Sequence, residues 1–130
     1  MTYPLTSLAV PVARLLLSFM FIMSGWTKIG GYAATAGYMA SKGVPAGLLP
    51  LVIAVELVGG LMILFGVYAR IVSILLAGFC VISAVLFHYD PANQGQMINF
   101  MKNLTIAGGF LMIYAHGAGA YSVDAWRKKA

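Results

Sequence analysis

The sequence predicts an all-α fold: a polytopic membrane four-helix bundle with a short interfacial helix in the first outer loop. The first observation is the composition, since 62% of the 130 residues are hydrophobic and only 8% are charged. A soluble domain of this length needs far more charge to cover its surface. The second observation is a set of four long apolar runs, because a spanning helix requires roughly 20 such residues. We predict spans at residues 8–29, 48–68, 71–89 and 98–116.

The whole chain, residues 1–130, is predicted to be one membrane domain. The four spans use most of its length and leave no room for a soluble catalytic domain. The first residues, MTYPLTSLAV, contain neither a basic segment nor a small-residue cleavage site. We therefore expect the first span to be retained and not removed as a signal peptide.

Turn-forming residues predict the connections between the spans. Between the first two, Ala33–Lys42 is expected to form a helix on the outer surface, ended by Gly43 and Pro45. The connection Tyr68–Arg70 is short, so the second and third spans should be antiparallel neighbours. The segment Asp90–Gln96 contains proline, asparagine and glycine, which indicates a turn before the fourth span.

The charges in the connections predict the orientation. With four spans, both termini share a side with the turn at 68–70, and cationic residues dominate that side: Arg70, Arg127, Lys128 and Lys129 against Asp124. The opposite side carries Lys28, Lys42 and Asp90, with Lys102 near its surface. The positive-inside rule therefore places both termini in the cytoplasm. The net charge of +5 is then explained by flanks that face anionic lipid, and we expect no nucleic-acid partner.

Glu56 is the one carboxylate within a predicted span. A charge at this depth costs a few kcal/mol, so it should face the bundle interior and have a partner. On the second span it shares a face with Gly59 and Gly60. On the first span, one stripe at helical spacing is expected to face the same interior: Arg14, Ser18, Phe21, Gly25 and Lys28.

The depth of these groups predicts which of them meet. Helical rise places Glu56 about 12 Å and Lys102 about 6 Å below the outer surface. We therefore predict a polar network Arg14–Glu56–Lys102, with Asn103 as a bridge. In it, Glu56 is either a structural ion-pair member that fixes helix register or a proton acceptor or ligand partner. Arg14 and Lys28 either join this interior or extend to the two membrane surfaces.

The histidines and the cysteine predict no metal site and no intrinsic cofactor. His88 and His116 end different spans on opposite sides, so one chain cannot ligate one haem with both. His88 is expected to be an interfacial polar cap or a proton relay. Cys80 is the one cysteine, which excludes thiol–disulfide exchange within the chain. It is expected to be a small buried residue.

Several segments, taken together and in order, resemble the DoxX family of small four-helix bacterial inner-membrane proteins. The first is ARLLLSFMFIMSGWTKIGGY at 13–32, followed by YMASKGVP at 38–45 and LLPLVIAVELVGGLMILFGVYAR at 48–70. LFHYD at 86–90 and MINFMKNLTIAGGFLMI at 97–113 continue it. Carried over residue by residue, the resemblance points to Arg14, Gly25, Lys28, Glu56, His88, Asn99, Lys102 and Asn103.

The resemblance implies a multi-pass inner-membrane protein coupled to the quinone pool, because the family name derives from a relative described as part of a thiosulfate:quinone oxidoreductase. Our first hypothesis is therefore a quinone- or quinol-linked membrane subunit of an oxidoreductase system, with a quinone as ligand and electrons supplied by a partner subunit or a substrate. In this hypothesis Glu56 and His88 are the candidate proton acceptors, and Phe100 or Tyr89 lies against the ring. The candidate quinone-binding and polar-network residues are Arg14, Asn99, Lys102 and Asn103.

Two other hypotheses remain open from the sequence. In one, the chain is a non-catalytic accessory or assembly protein whose polar network is architectural. In the other, a homo-oligomer transports a small solute or protons, because four short spans leave little room for a pathway in one copy.

Overall fold

The computed structural model describes residues 5–129, and no strand occurs among them. Six α-helices follow in chain order: α1 (Thr6–Gly30), α2 (Tyr32–Ser41), α3 (Leu49–Phe65), α4 (Ala69–Ser83), α5 (Gln94–His116) and α6 (Val123–Lys129). A 3₁₀ turn, Ala46–Leu48, leads into α3, and a π-helical segment, Ala84–His88, extends α4. The predicted all-α fold is confirmed.

Three of the helical stretches are long and apolar enough to cross a membrane: Thr6–Gly30, Ala46–Phe65 and Ala69–His88. They coincide with the first three predicted spans. The fourth predicted span falls in α5, which has 23 residues. The first half of this helix is less apolar because it carries Gln94, Gln96, Asn99, Lys102 and Asn103. Its crossing of the membrane stays a prediction.

The interior forms where α1 packs on α3 and α4 packs on α5. The buried residues of α1 are Arg14, Ser18, Phe21 and Gly25, which confirms the predicted stripe as far as Gly25. Glu56, Gly59 and Gly60 are all buried on α3, again as predicted. Aromatic contacts join the helix pairs, since the rings of Phe21 and Phe110 meet edge to face with centroids 5.4 Å apart.

The outer faces of the long helices are strongly apolar. Leu16, Leu75 and Met112 are each at least 60% exposed, on three different helices. Contiguous apolar surface of this kind is rare on soluble monomers. In a bilayer the same faces contact lipid tails without cost.

The two ends of the bundle carry different short elements. At one end, which we call the α2 end, the Tyr38 hydroxyl of α2 donates a hydrogen bond of 3.2 Å to the Phe87 carbonyl in the π segment. The predicted helix Ala33–Lys42 is found here as α2. At the other end, the α6 end, the chain turns between α3 and α4 through Gly66 and Tyr68, both with positive φ. α6 docks against this turn.

Gln94 begins α5 inside the segment that was predicted to be a turn. The turn itself covers only the residues before it, and Asn93 is the N-cap, because its side chain accepts a hydrogen bond of 3.1 Å from the Gln96 N–H. Asparagine is among the most favoured residues at this position. The helix therefore starts four residues before the predicted span, which began at residue 98.

Candidate functional site

A cavity of about 810 Å³ opens at the α2 end, between α1, α2, α3, α4, the π segment and α5. Its polar lining is concentrated in one set of side chains: Ser24, Lys28, Glu56, His88, Asn99, Lys102 and Asn103. Five of the six candidate site residues from the sequence are in this set. The exception is Arg14.

An ion pair between Lys28 and Glu56 lies at the centre of this polar set. The Lys28 Nζ is 2.8 Å from Glu56 Oε1 and donates a hydrogen bond of 2.6 Å to the Ser24 hydroxyl, one turn back on α1. The Glu56 side chain is only 7% exposed, whereas that of Lys28 is 26% exposed. Oε1 receives no hydrogen bond of normal geometry from the described residues. Charge rather than directional bonding therefore holds the pair together.

The predicted network Arg14–Glu56–Lys102 is wrong. Glu56 pairs with Lys28, and Lys102 makes neither an ion pair nor a hydrogen bond with any of the described residues. The relative rotation of the helices is the physical reason. Lys28 ends α1 on the same stripe as Gly25, which packs against Leu57 of α3 and so brings the lysine beside Glu56.

Arg14 lies at the α6 end, where it closes the end of α3. Its Nη1 donates hydrogen bonds to the carbonyls of Ile63 and Leu64, at 3.3 and 3.0 Å, and its Nη2 donates to the Tyr121 carbonyl. These carbonyls of α3 belong to its last turn, where the helix dipole favours a cation. Arg14 is 1% exposed. It is therefore a buried structural clamp and not part of the cavity.

His88 is held by a side chain that the sequence reading did not single out. Its Nδ1 is 2.9 Å from Gln96 Oε1, and Asn99 Nδ2 donates to the same oxygen at 3.5 Å. An amide oxygen only accepts, so Nδ1 carries the proton and Nε2 is left with a free lone pair. In this tautomer Nε2 is the ring nitrogen that can accept a hydrogen bond.

The π segment brings His88 to the cavity. Single π turns inside α-helices are rare and occur frequently at functional sites. In the turn before it, Asn103 Nδ2 donates a hydrogen bond of 3.3 Å to the carbonyl of Cys80. Asn103 therefore joins α5 to α4 and does not bridge Glu56. Cys80 is buried, as predicted, and also lines the cavity.

Aromatic and apolar groups form the remaining walls. Tyr38 and Phe87 stack with centroids 5.7 Å apart at an interplanar angle of 27°, and both line the cavity. Tyr89 and Phe100, the rings proposed from the sequence, instead pack edge to face on each other and are not among the cavity-lining residues. The stacked aromatic pair thus comes from α2 and the π segment, while Phe21 of α1 and Phe79 of α4 also line the cavity.

The formal charge of the cavity is positive. Lys28 and Lys102 contribute two positive charges and Glu56 one negative charge, so the sum is +1 with His88 neutral. Among the described residues, no three His, Cys, Asp or Glu side chains are grouped closely enough to hold a metal ion. The arrangement suits an organic ligand that presents electron-rich oxygens at the lysines and an apolar body to the walls.

Comparison with known proteins finds relatives that are similar in sequence to this chain. It is 50% identical over 120 residues, 92% of each chain, to the inner membrane protein YqjF of Escherichia coli K12. It is 36% identical to the inner membrane protein YphA of the same organism, over 87% of this chain and 86% of that one. A shorter match of 64 residues, 33% identical, covers 49% of this chain and 48% of the Bacillus subtilis 168 protein named "Putative oxidoreductase CatD". No solved structure matches the chain significantly.

The family model named DoxX matches residues 9–89. This range begins inside α1 and includes α2, α3, α4 and the π segment, and it contains Lys28, Glu56 and His88 of the cavity. The chain therefore belongs to the DoxX family.

Proposed function

We propose that this protein is a quinone- or quinol-binding membrane subunit of an oxidoreductase system in the bacterial inner membrane, with both termini in the cytoplasm. The observation that carries the proposal is the α2-end cavity, which joins a cluster of proton-exchanging and hydrogen-bonding side chains to apolar and aromatic walls. The oxidoreductase named among the relatives supports a redox role.

The cavity fits the chemistry of a quinone. A quinone has two carbonyl oxygens on a flat ring and an apolar tail, and the volume of 810 Å³ lies within the range of small-molecule sites. Lys102 and Asn99 line the wall as donors for a carbonyl oxygen. The stacked pair Tyr38 and Phe87 provides a flat surface for the ring, and the apolar side chains provide a path for the tail.

Proton exchange assigns the remaining roles. Quinol oxidation releases two protons and two electrons, and quinone reduction takes up the same number. His88 accepts one proton at Nε2, because Nδ1 is occupied by Gln96. Glu56, which pairs with Lys28 at 2.8 Å, exchanges the other. The electrons pass to or from a redox partner subunit.

The test is mass spectrometry of lipophilic molecules that co-purify with the protein in native lipid particles. A quinone should be enriched with the wild type and reduced with Glu56→Gln and with Lys102→Ala. Gln94→Ala is the control, because Gln94 is an exposed polar residue at the same end and outside the cavity lining. Equal quinone content in wild type and both cavity variants would overturn the proposed site.

An accessory role without turnover is the second candidate, and one observation favours it. Glu56 already has a cationic partner within the chain, as an architectural ion pair would. In this case Glu56→Gln lowers the thermal midpoint while the ligand content of the folded fraction stays equal to that of the wild type. Loss of ligand at an unchanged midpoint would exclude it.

A further inference from the structure

A second cavity, of about 720 Å³, lies at the α6 end of the bundle and is independent of the proposed quinone site. It is bounded by the start of α4, the loop after α5 and the helix α6. The titratable side chains that line it are mostly basic: Tyr68, Arg70, His116, Asp124, Arg127 and Lys128. We call it the basic pocket.

Among the described residues, Asp124 is the one carboxylate that lines the basic pocket, and both of its oxygens already accept hydrogen bonds. Asp124 Oδ1 accepts from the Tyr68 N–H at 2.7 Å, and Oδ2 accepts from the Ala69 N–H at 2.8 Å, so both oxygens cap the start of α4. Arg127 reaches Asp124 at 3.9 Å. Arg70 and Lys128 have no carboxylate partner among the described residues. With three cations against one anion and His116 neutral, the pocket has a formal charge of +2.

The loop after α5 adds backbone donors to these cations. Gly117 and Gly119 have φ of +82° and +86°, and Gly117 lies so close to the Arg70 guanidinium that an added Cβ would be 3.1 Å from Nε. Within the described chain, the N–H groups of Ala118, Gly119 and Ala120 donate no hydrogen bond. Backbone donors without acceptors, next to unpaired cations, form a typical environment for an anion.

We propose that the basic pocket binds a phosphate group, presented either by the headgroup of an acidic phospholipid or by a free phosphate. A phosphate supplies the negatively charged partner that Arg70 and Lys128 do not have among the described residues. Its oxygens also accept hydrogen bonds from the N–H groups of the loop after α5. The pocket also borders the apolar surface of the bundle, since Ile71 lines it and is 61% exposed. A lipid bound here can extend its acyl chains along α4.

The experiment is a titration of the purified protein in a neutral detergent with phosphatidylglycerol, phosphatidylcholine or inorganic phosphate, read by native mass spectrometry and by the thermal midpoint. The variants are Arg70→Gln, Lys128→Gln and the control Lys42→Gln, each of which removes one exposed cation. We expect phosphatidylglycerol to bind about fivefold more weakly to Arg70→Gln and to Lys128→Gln, and unchanged to Lys42→Gln. Lys128 forms no hydrogen bond or ion pair with any described residue, so its substitution should leave folding intact.

The other probes identify the source of the phosphate. Stabilisation by phosphatidylglycerol alone assigns a lipid headgroup, whereas the same stabilisation by inorganic phosphate, lost in the same two variants, assigns a free phosphate. The proposal is overturned if neither phosphatidylglycerol nor inorganic phosphate raises the thermal midpoint of the wild type. It is also overturned if Lys42→Gln weakens binding as much as the two pocket variants do, because the attraction is then only that of net charge.

Discussion

Lys28 and Glu56 depend on each other at the scale of single residues. A carboxylate that is 7% exposed loses most of its hydration, and the Lys28 ammonium at 2.8 Å supplies the compensating charge. Removing one member of a buried pair leaves the other charge uncompensated, which costs more than removing both.

Substitution of Lys28 by Gln should therefore lower the free energy of unfolding by about 3 kcal/mol. Adding Glu56→Gln to this variant should restore part of the loss, because the double variant has no buried charge at the site. Thermal midpoints of the two single variants, the double variant and the wild type give the coupling energy. Additive effects of the two substitutions would contradict a direct ion pair.

Arg14 provides a second residue-scale prediction. Its two terminal nitrogens connect α3 to the Tyr121 carbonyl, and a lysine has a single nitrogen that cannot reach both. We expect Arg14→Lys to destabilise the protein by about 2 kcal/mol although the charge is kept. Denaturation of the purified variant measures this. A stability equal to that of the wild type would show that charge alone suffices.

The residue scale also shows what helical rise can and cannot predict. Depth alone placed Glu56 and Lys102 in the outer half of the bundle, and both line one cavity. Depth contains no information on the rotation of one helix against another, and this rotation is what pairs Glu56 with Lys28. The contact between Gly25 and Leu57 sets it, and small residues on the stripe of α1 were the available sequence signal.

At the scale of elements, two glycines allow α1 and α3 to approach closely. A Cβ at Gly25 would lie 2.7 Å from Leu57 Cγ, and one at Gly60 would lie 2.8 Å from Ile22 Cγ1. The contacts are reciprocal, since each helix offers a glycine to a branched side chain of the other. Gly78 and Gly108, also inside long helices, have no atom within 4 Å of an added Cβ.

Alanine at Gly25 or Gly60 should therefore separate the helices and cost about 1–3 kcal/mol. Alanine at Gly78 or Gly108 serves as the control and should be neutral or stabilising by about 0.5–1 kcal/mol, because glycine is a poor helix former. Thermal midpoints of the four variants test both expectations. Equal effects at all four positions would mean that helix propensity, and not packing between helices, determines the stability of these variants.

Element types were largely predictable, because apolar length and turn residues determine where helices begin and end. The predicted spans and the outer helix at 33–42 correspond to observed helices with small shifts of their ends. The π segment had no signal in its sequence, Ala84–His88. The last helix, α6, was also not anticipated, because its position depends on the capping contact of Asp124 with a turn more than 50 residues earlier.

At the scale of the whole molecule, the positions of the loops allow a test of the orientation. Lys42 and Ala92 belong to connections at the α2 end, and Lys128 belongs to the α6 end. The native Cys80 is buried, so a maleimide should react with cysteines introduced at these positions and not with Cys80. In intact cells, a membrane-impermeant maleimide should label the variants at Lys42 and Ala92, and the variant at Lys128 only after permeabilisation.

This labelling pattern also tests whether α5 crosses the membrane. If α5 stayed on one side, the connection at Ala92 and the tail at Lys128 would label together. Cys80→Ala controls for background reaction. The positive charge of the tail is the physical reason to expect it inside, since cytoplasmic flanks carry the excess of lysine and arginine.

The clamp at Arg14 also sets an order of events during biosynthesis. Arg14 belongs to α1, whereas its acceptor Tyr121 follows 107 residues later and leaves the ribosome after α5. Until then, the guanidinium on α1 lacks one of its acceptors, and Asp124 has not yet capped α4. The contact that completes the clamp on α3 and the contact that caps α4 therefore both form only after α5 has been made.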